Sequence, residues 1–298
     1  MSLTYQQWLQ FAQQRLAQNQ HKDPYLESKT DARLLLCQAT GRDRASLIAN
    51  EAQCLSEKEL CQLDLWLERR CQGEPMAYIL GKVGFWNLTL KVSADTLIPR
   101  PDTEILVEQA VQLLAEKLEK SEQSVISVLD LGTGTGAIAL SIYAECQPLA
   151  QKSNKTLQVI GVDRVLGAVK LAEKNVEANQ LNNVRFYQSD WFSALANQQF
   201  DLIVSNPPYI DKNDPHLQQG DVRFEPLSAL VAEDQGYADL RFIVEQAPNY
   251  LKDEGYLLLE HGWQQGEKLR ALFLKHGYKQ VRTVQDYGAN ERVTMGNY

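Results

Sequence analysis

The sequence predicts an α/β protein: an open, mostly parallel β-sheet with helices between its strands, behind a small helical region. Two patterns carry this. From about residue 102 onward, short apolar runs alternate with segments of helical periodicity, as strands buried between crossover helices require. Before about residue 80, apolar residues recur at helical spacing instead. The domains expected are 1–80 (helical, positioning a partner), 81–101 (a β-hairpin linker) and 102–298 (the α/β domain).

In the first segment Trp8, Phe11, Ala12 and Leu16 share one helical face, and Leu34, Leu35 and Leu36 mark another helix. Leu60, Leu63, Leu65 and Leu67 follow Ser56 and Glu59, which are spaced as a capping box. Residues 1–80 hold 9 Lys and Arg against 10 Asp and Glu, so this is no basic arm. Residues Gly81 to Pro99 alternate apolar and polar around Phe85, Trp86, Leu88, Leu90 and Val92, as a hairpin does. Two prolines, Pro99 and Pro101, then fix the chain before a helix that opens near Asp102 or Thr103.

Strands are expected at Val125–Leu131, Leu157–Asp163, Val184–Ser189, Phe200–Val204, Tyr256–Glu260, Gln280–Gln285 and Val293–Gly296. Helices are expected at Glu104–Leu118, Gly136–Cys146, Gly167–Ala178, Tyr237–Leu251 and Gln265–His276. Only Asp286 to Arg292 joins the last two strands, too short for a crossover helix, so that pair should be antiparallel.

The totals narrow the function. The chain has 298 residues, 44% hydrophobic and 23% charged, which suits a soluble globular protein. No apolar run approaches the ~18 residues of a membrane span, and the N-terminus lacks the pattern of a signal peptide. Cys37, Cys54, Cys61, Cys71 and Cys146 form no CxxC pair and fit neither a disulfide framework nor zinc; a cytoplasmic location is expected. A net charge of −8 weighs against direct nucleic-acid binding. His21, His216, His261 and His276 are scattered without ligand spacing, so no metal is expected; His216 reads as a solvated loop residue.

Two motifs carry chemistry. Asp130-Leu131-Gly132-Thr133-Gly134-Thr135-Gly136 follows the first α/β strand, where glycines let a ligand approach the backbone closely. Gly132, Gly134 and Ala137 also satisfy a dinucleotide fingerprint, so a nicotinamide cofactor competes with S-adenosylmethionine. Asp130 is expected at the mouth of the loop, where it would attract an ammonium or sulfonium and repel a pyrophosphate. Asp163 ends the second strand and can bind ribose hydroxyls of either cofactor. Trp191, after the third strand, can stack on adenine, and Asp190 beside it can accept from the adenine amino group.

The second motif, Asn206-Pro207-Pro208-Tyr209, ends the fourth strand. A carboxamide nitrogen is a poor nucleophile because its lone pair is conjugated, on the scale of the ~18–20 kcal/mol amide rotation barrier. Asn206 can accept one N–H of a planar NH2 through its side-chain oxygen, and the Pro207 carbonyl the other. The prolines fix φ and offer no N–H, and the Tyr209 ring can cover the group. Alignment of such a nitrogen with an electrophilic methyl lowers the barrier by roughly 7–11 kcal/mol.

Five segments, Leu97 to Glu104, Val128 to Gly136, Ser205 to Tyr209, Asp221 to Pro226 and Leu257 to Gly262, together resemble the bacterial release factor glutamine methyltransferases, the HemK/PrmC family. The likeness covers nearly the whole chain. It implies a class I S-adenosylmethionine-dependent methyltransferase domain, with a seven-stranded mostly parallel sheet, behind a helical substrate-binding domain. It implies S-adenosyl-L-methionine as donor and N5-methylation of the glutamine in the Gly-Gly-Gln loop of class I peptide chain release factors, by an enzyme expected to be a monomer. It assigns Gly132 to Gly136, Asp163, Trp191 and Asn206 to the cofactor, and Asn206 to Tyr209 to the substrate glutamine. Arg100, Glu104 and Glu225 match family signatures without an evident physical role. Competing readings are glutamine methylation on a large-subunit ribosomal protein, adenine-N6 methylation of a flipped DNA base, and a non-catalytic binding module.

Overall fold

The structure, a computed structural model, describes residues 3–20 and 26–298. Met1, Ser2 and His21 lie outside the described residues. The chain forms two compact units, Met1–Lys82 with Pro215–Phe224, and Val83–Asp214 with Glu225–Tyr298.

The first unit contains α1 (Tyr5–Gln18), α2 (Ser28–Thr40), α3 (Arg44–Ala49), α4 (Glu57–Cys71) and α5 (Met76–Leu80). Ser56 and Glu59 close the expected capping box of α4, and Thr4 and Gln7 close another on α1. Trp8, Leu16, Leu35 and Leu63 are fully buried in its core, whereas Phe11, Leu34 and Leu65 are exposed. A buried ion pair at 2.7 Å joins Arg70 of α4 to Asp31 of α2. The 3-10 turns Pro215–Gln218 and Gly220–Phe224 cluster with this unit, although the sequence placed them in the 102–298 domain.

The second unit begins at the hairpin of β1 (Lys82–Phe85) and β2 (Leu88–Lys91), which clusters almost wholly with the α/β sheet. Further along come α6 (Glu104–Lys120), β3 (Val125–Leu131), α7 (Ala137–Lys152), β4 (Thr156–Asp163), α8 (Leu166–Asn179), β5 (Val184–Gln188) and β6 (Phe200–Ser205). They are followed by α9 (Glu233–Gly236), α10 (Ala238–Gln246), β7 (Leu251–Glu260), α11 (Gly266–Lys275), β8 (Lys279–Gln285) and β9 (Glu291–Asn297). The helix expected over Tyr237–Leu251 ends early. After Gln246 the chain tightens into a 3-10 turn, Ala247–Tyr250, at Pro248, and β7 already starts at Leu251. Similarly, Pro101–Thr103 is a 3-10 turn and α6 opens at Glu104.

The seven strands lie in the order β5-β4-β3-β6-β7-β9-β8. The first five pair in parallel; β9 pairs antiparallel with β8, as the short connection predicts, and also with β7. Central strand β6 is buried along its whole length, while edge strand β5 buries only Val184 and Phe186. The two-residue period sorts β3 between two cores. Ile126 and Val128 pack with Leu106 of α6 and Leu140 of α7, and Leu129 and Leu131 pack with Leu240 of α10 and Leu269 of α11. The chain leaves β3 toward β4 on one side and β6 on the other, so a crevice opens beyond their carboxyl ends.

Two segments that matched family signatures acquire a physical role. Glu225 accepts from the Ile98 amide at 2.7 Å and pairs with Arg100, pinning the chain before α6. Glu104 accepts from the Trp86 amide at 2.8 Å, holding the hairpin turn where Trp86 takes φ 54°.

Candidate active site

A cavity of about 340 Å³ occupies the crevice, a volume suited to a small-molecule ligand. Gly132, Thr133, Gly134, Thr135, Asp163, Trp191, Asn206 and Pro208 all line it. These residues come from the ends of β3, β4, β5 and β6, brought together by parallel pairing alone.

The glycine loop is anchored from below and behind. The Thr133 amide donates to the Val162 carbonyl at 2.9 Å, and the Gly134 amide to Asp163 Oδ2 at 2.9 Å. Asn175 of α8, fully buried, donates to the Thr135 carbonyl at 2.9 Å. The same side chain accepts from the Lys91 amide at 2.7 Å and donates to its carbonyl at 3.0 Å. One asparagine therefore closes the edge of β2 and fixes the loop. Gly136 points away from the cavity. At φ 82° a Cβ there would lie 3.0 Å from Phe186 and 3.2 Å from Ala172, so this glycine serves helix-to-sheet packing rather than ligand contact.

Asp130 corrects an expectation. It shares a face of β3 with Ile126 and Val128, so it points under the loop toward α7, fully buried, and does not line the cavity. Its Oδ2 accepts from Thr133 Oγ1 at 2.6 Å and the Ala139 amide at 3.3 Å, and Oδ1 has no partner among the described residues. Burial pushes its carboxyl up to about 7. The attraction expected of Asp130 falls instead to Asp95, Asp163, Asp190, Glu233 and Asp239, which line the cavity against one cation, Arg164. Asp163 and Asp190 are marked by their places at strand ends, whereas nothing in the spacing of Asp95, Glu233 and Asp239 marks them.

Asp163 receives the Gly134 amide on one oxygen and the Val165 amide at 2.8 Å on the other, while burial holds its carboxyl above the usual range. Trp191 takes a left-handed φ of 48°, and Ser189 Oγ donates to its carbonyl at 2.7 Å. Its ring lies over the loop, 3.6 Å from where a Cβ on Gly132 would stand. Asp239 faces the Trp191 indole, and burial raises its carboxyl.

The Asn206-to-Tyr209 segment is tied at both ends. Ser205 Oγ donates to the Leu131 carbonyl at 2.7 Å, and Gln265 Nε2 to the Tyr209 carbonyl at 3.1 Å. The Ile210 amide donates to the Leu230 carbonyl at 2.9 Å. Asn206 and Pro208 face the cavity, but Pro207 is buried and the Tyr209 ring does not line it. The Tyr209 hydroxyl donates to buried Glu260 at 3.2 Å. Burial and the neighbouring Glu260 push that phenol well above its usual range. Asn206 Nδ2 donates to Thr103 Oγ1 at 3.1 Å. Neither Thr103 nor Glu260 was singled out from the sequence.

Comparison with known proteins decides the family. Residues 122–293 match the family described as a methyltransferase domain, and residues 7–81 match the PrmC N-terminal domain. The release factor glutamine methyltransferase of Pasteurella multocida is 56% identical over 296 residues, covering 99% of each chain. This chain belongs to the release factor glutamine methyltransferase family. The Escherichia coli member is 50% identical over 296 residues, again covering 99% of each chain. Among solved structures, the hMettl16 catalytic domain is 15% identical with a TM-score of 0.52, covering 81% of this chain and 82% of that one, a likeness of fold alone. As a release factor glutamine methyltransferase family member, the chain has a class I methyltransferase fold and uses S-adenosyl-L-methionine, which removes the nicotinamide alternative. The acid-lined cavity agrees with that cofactor, since a sulfonium and an ammonium are attracted where a pyrophosphate would be repelled.

Proposed function

We propose that this enzyme methylates the side-chain nitrogen, N5, of the glutamine in the Gly-Gly-Gln loop of class I peptide chain release factors. The observation that carries this reading is the placement of Asn206 and Pro208 on the wall of the acid-lined cavity, in a segment tied at both ends. Bound S-adenosyl-L-methionine supplies an electrophilic methyl on a sulfonium. The chain's own residues do the rest.

Asp163 would accept the ribose hydroxyls, and Trp191 would lie against adenine, beside Asp239. The Gly132–Thr135 backbone would lie along the cofactor. Asn206 Oδ1 would accept one N–H of the substrate carboxamide and the Pro207 carbonyl the other, which favours NH2 over OH and draws density onto nitrogen. Gly136 and Asp130, behind the loop, hold its shape. Tyr209 steadies the segment through Glu260.

The choice among acceptors is tested by incubating the enzyme with labelled S-adenosyl-L-methionine and, separately, release factor, ribosomal large subunit and DNA. Label is expected in the release factor. Label only in the ribosomal protein or only in DNA overturns the reading.

A further inference from the structure

We infer that Gln265 is a positioning residue that keeps the acceptor segment, Asn206 to Tyr209, in register with the cavity wall formed around Glu233 and Ala238. The inference rests on the proposed role of Asn206 in holding the substrate amide.

Gln265 immediately precedes α11 and is 8% exposed. Its side chain meets the backbone of three separate segments. Oε1 accepts from the Gly262 amide, just after β7, at 2.8 Å. Nε2 donates to the Tyr209 carbonyl at 3.1 Å and to the Gly236 carbonyl at 3.4 Å. A backbone N–H only donates and a carbonyl only accepts, so these partners fix the orientation of the carboxamide. Turned over, it would set its oxygen against two carbonyls. Tyr209 ends the acceptor segment, and Gly236 lies between Glu233 and Ala238, which both line the cavity.

The turn that carries Gly236 is shaped for this contact. Asp234, Gln235 and Gly236 take φ of 54°, 55° and 85° in succession. Left-handed residues other than glycine persist where their surroundings over-determine them. A Cβ on Gly236 would stand 2.1 Å from the Tyr209 carbonyl oxygen, so glycine is what lets the two segments approach this closely. The same segments also run side by side through backbone bonds. The Ile210 amide donates to the Leu230 carbonyl at 2.9 Å, and the Ala232 amide to the Ile210 carbonyl at 3.1 Å. Methyl transfer needs the nitrogen and the methyl carbon aligned at ~3–3.5 Å, and a small displacement slows it steeply. By bonding both segments and the end of β7, Gln265 holds that alignment without touching either reactant.

The test is steady-state methylation of release factor by Q265M, Q265E and N206A, with S-adenosyl-L-methionine affinity and stoichiometry measured by calorimetry. Q265M has similar length and no hydrogen-bonding amide. It should lower kcat about 10- to 100-fold while one cofactor still binds per chain, with Kd within about threefold of wild type. Q265E keeps an acceptor for the Gly262 amide and can donate only as the acid. Its kcat relative to wild type should therefore fall as the pH rises from about 6 to about 9, while the Q265M ratio stays flat. Wild-type kcat in Q265M, a loss that matches the fraction of chains no longer binding cofactor, or a flat Q265E ratio overturns the inference. The acceptor role of Asn206 then still stands if N206A is slow. Wild-type turnover by N206A would overturn both.

Discussion

Asp163 and Gly134 form one structural unit: the amide of the glycine donates to the carboxylate at 2.9 Å, tying the end of β4 to the loop after β3. Because the other oxygen holds the Val165 amide, the carboxylate is oriented before any ligand arrives. Asp163→Ala should therefore loosen S-adenosyl-L-methionine at least ~10-fold by calorimetry, since ribose contacts and loop order are lost together. Asp163→Asn, which keeps one acceptor, should fall between. Affinity within twofold of wild type in the alanine variant would mean the acid does not serve the cofactor.

Asn175 has three bonds to buried or half-buried backbone groups, two to Lys91 and one to Thr135. At about 1 kcal/mol each, Asn175→Ala should cost roughly 2–4 kcal/mol of stability in urea unfolding. Asn175→Asp loses both donors and should not rescue it. An unchanged unfolding midpoint in the alanine variant would contradict this role.

Asp130 makes stability depend on pH. Its carboxyl rises from the ordinary 3.8 to about 7 on folding, so between those values the native state holds a proton that the unfolded chain has released. Its contribution is fully present below pH ~4 and is lost as pH rises through ~7. Asp130→Asn, which cannot titrate, should show a flatter dependence of unfolding free energy on pH across that window. An identical slope in both proteins would refute the assignment.

The parallel sheet was legible because its buried strands are short apolar runs with helices between them, and the antiparallel pair because Asp286 to Arg292 leaves no room for a crossover. The glycine loop and Asn206 follow from the strands they end. Asp130 could have been placed by parity, since it shares a face with Ile126 and Val128. Tyr209 could not, because its partner Glu260 lies 51 residues away at the end of another strand. The same holds for Thr103, 103 residues from Asn206, and for Asn175, 84 residues from Lys91. Side chains that bridge elements far apart in the chain leave no local pattern. Residues 215–224 cluster with the helical unit through two short 3-10 turns, which carry no periodicity that would attach them to it in the sequence.

The central claim, that Asn206 holds a glutamine side-chain amide for methylation, is tested most directly by mass spectrometry of release factor peptides after reaction with wild type and Asn206→Ala. One added methyl on the glutamine of the Gly-Gly-Gln loop is expected with wild type, formed at least ~100-fold more slowly by the variant while cofactor affinity persists. A methyl on any other residue, or equal rates from the two enzymes, would contradict it.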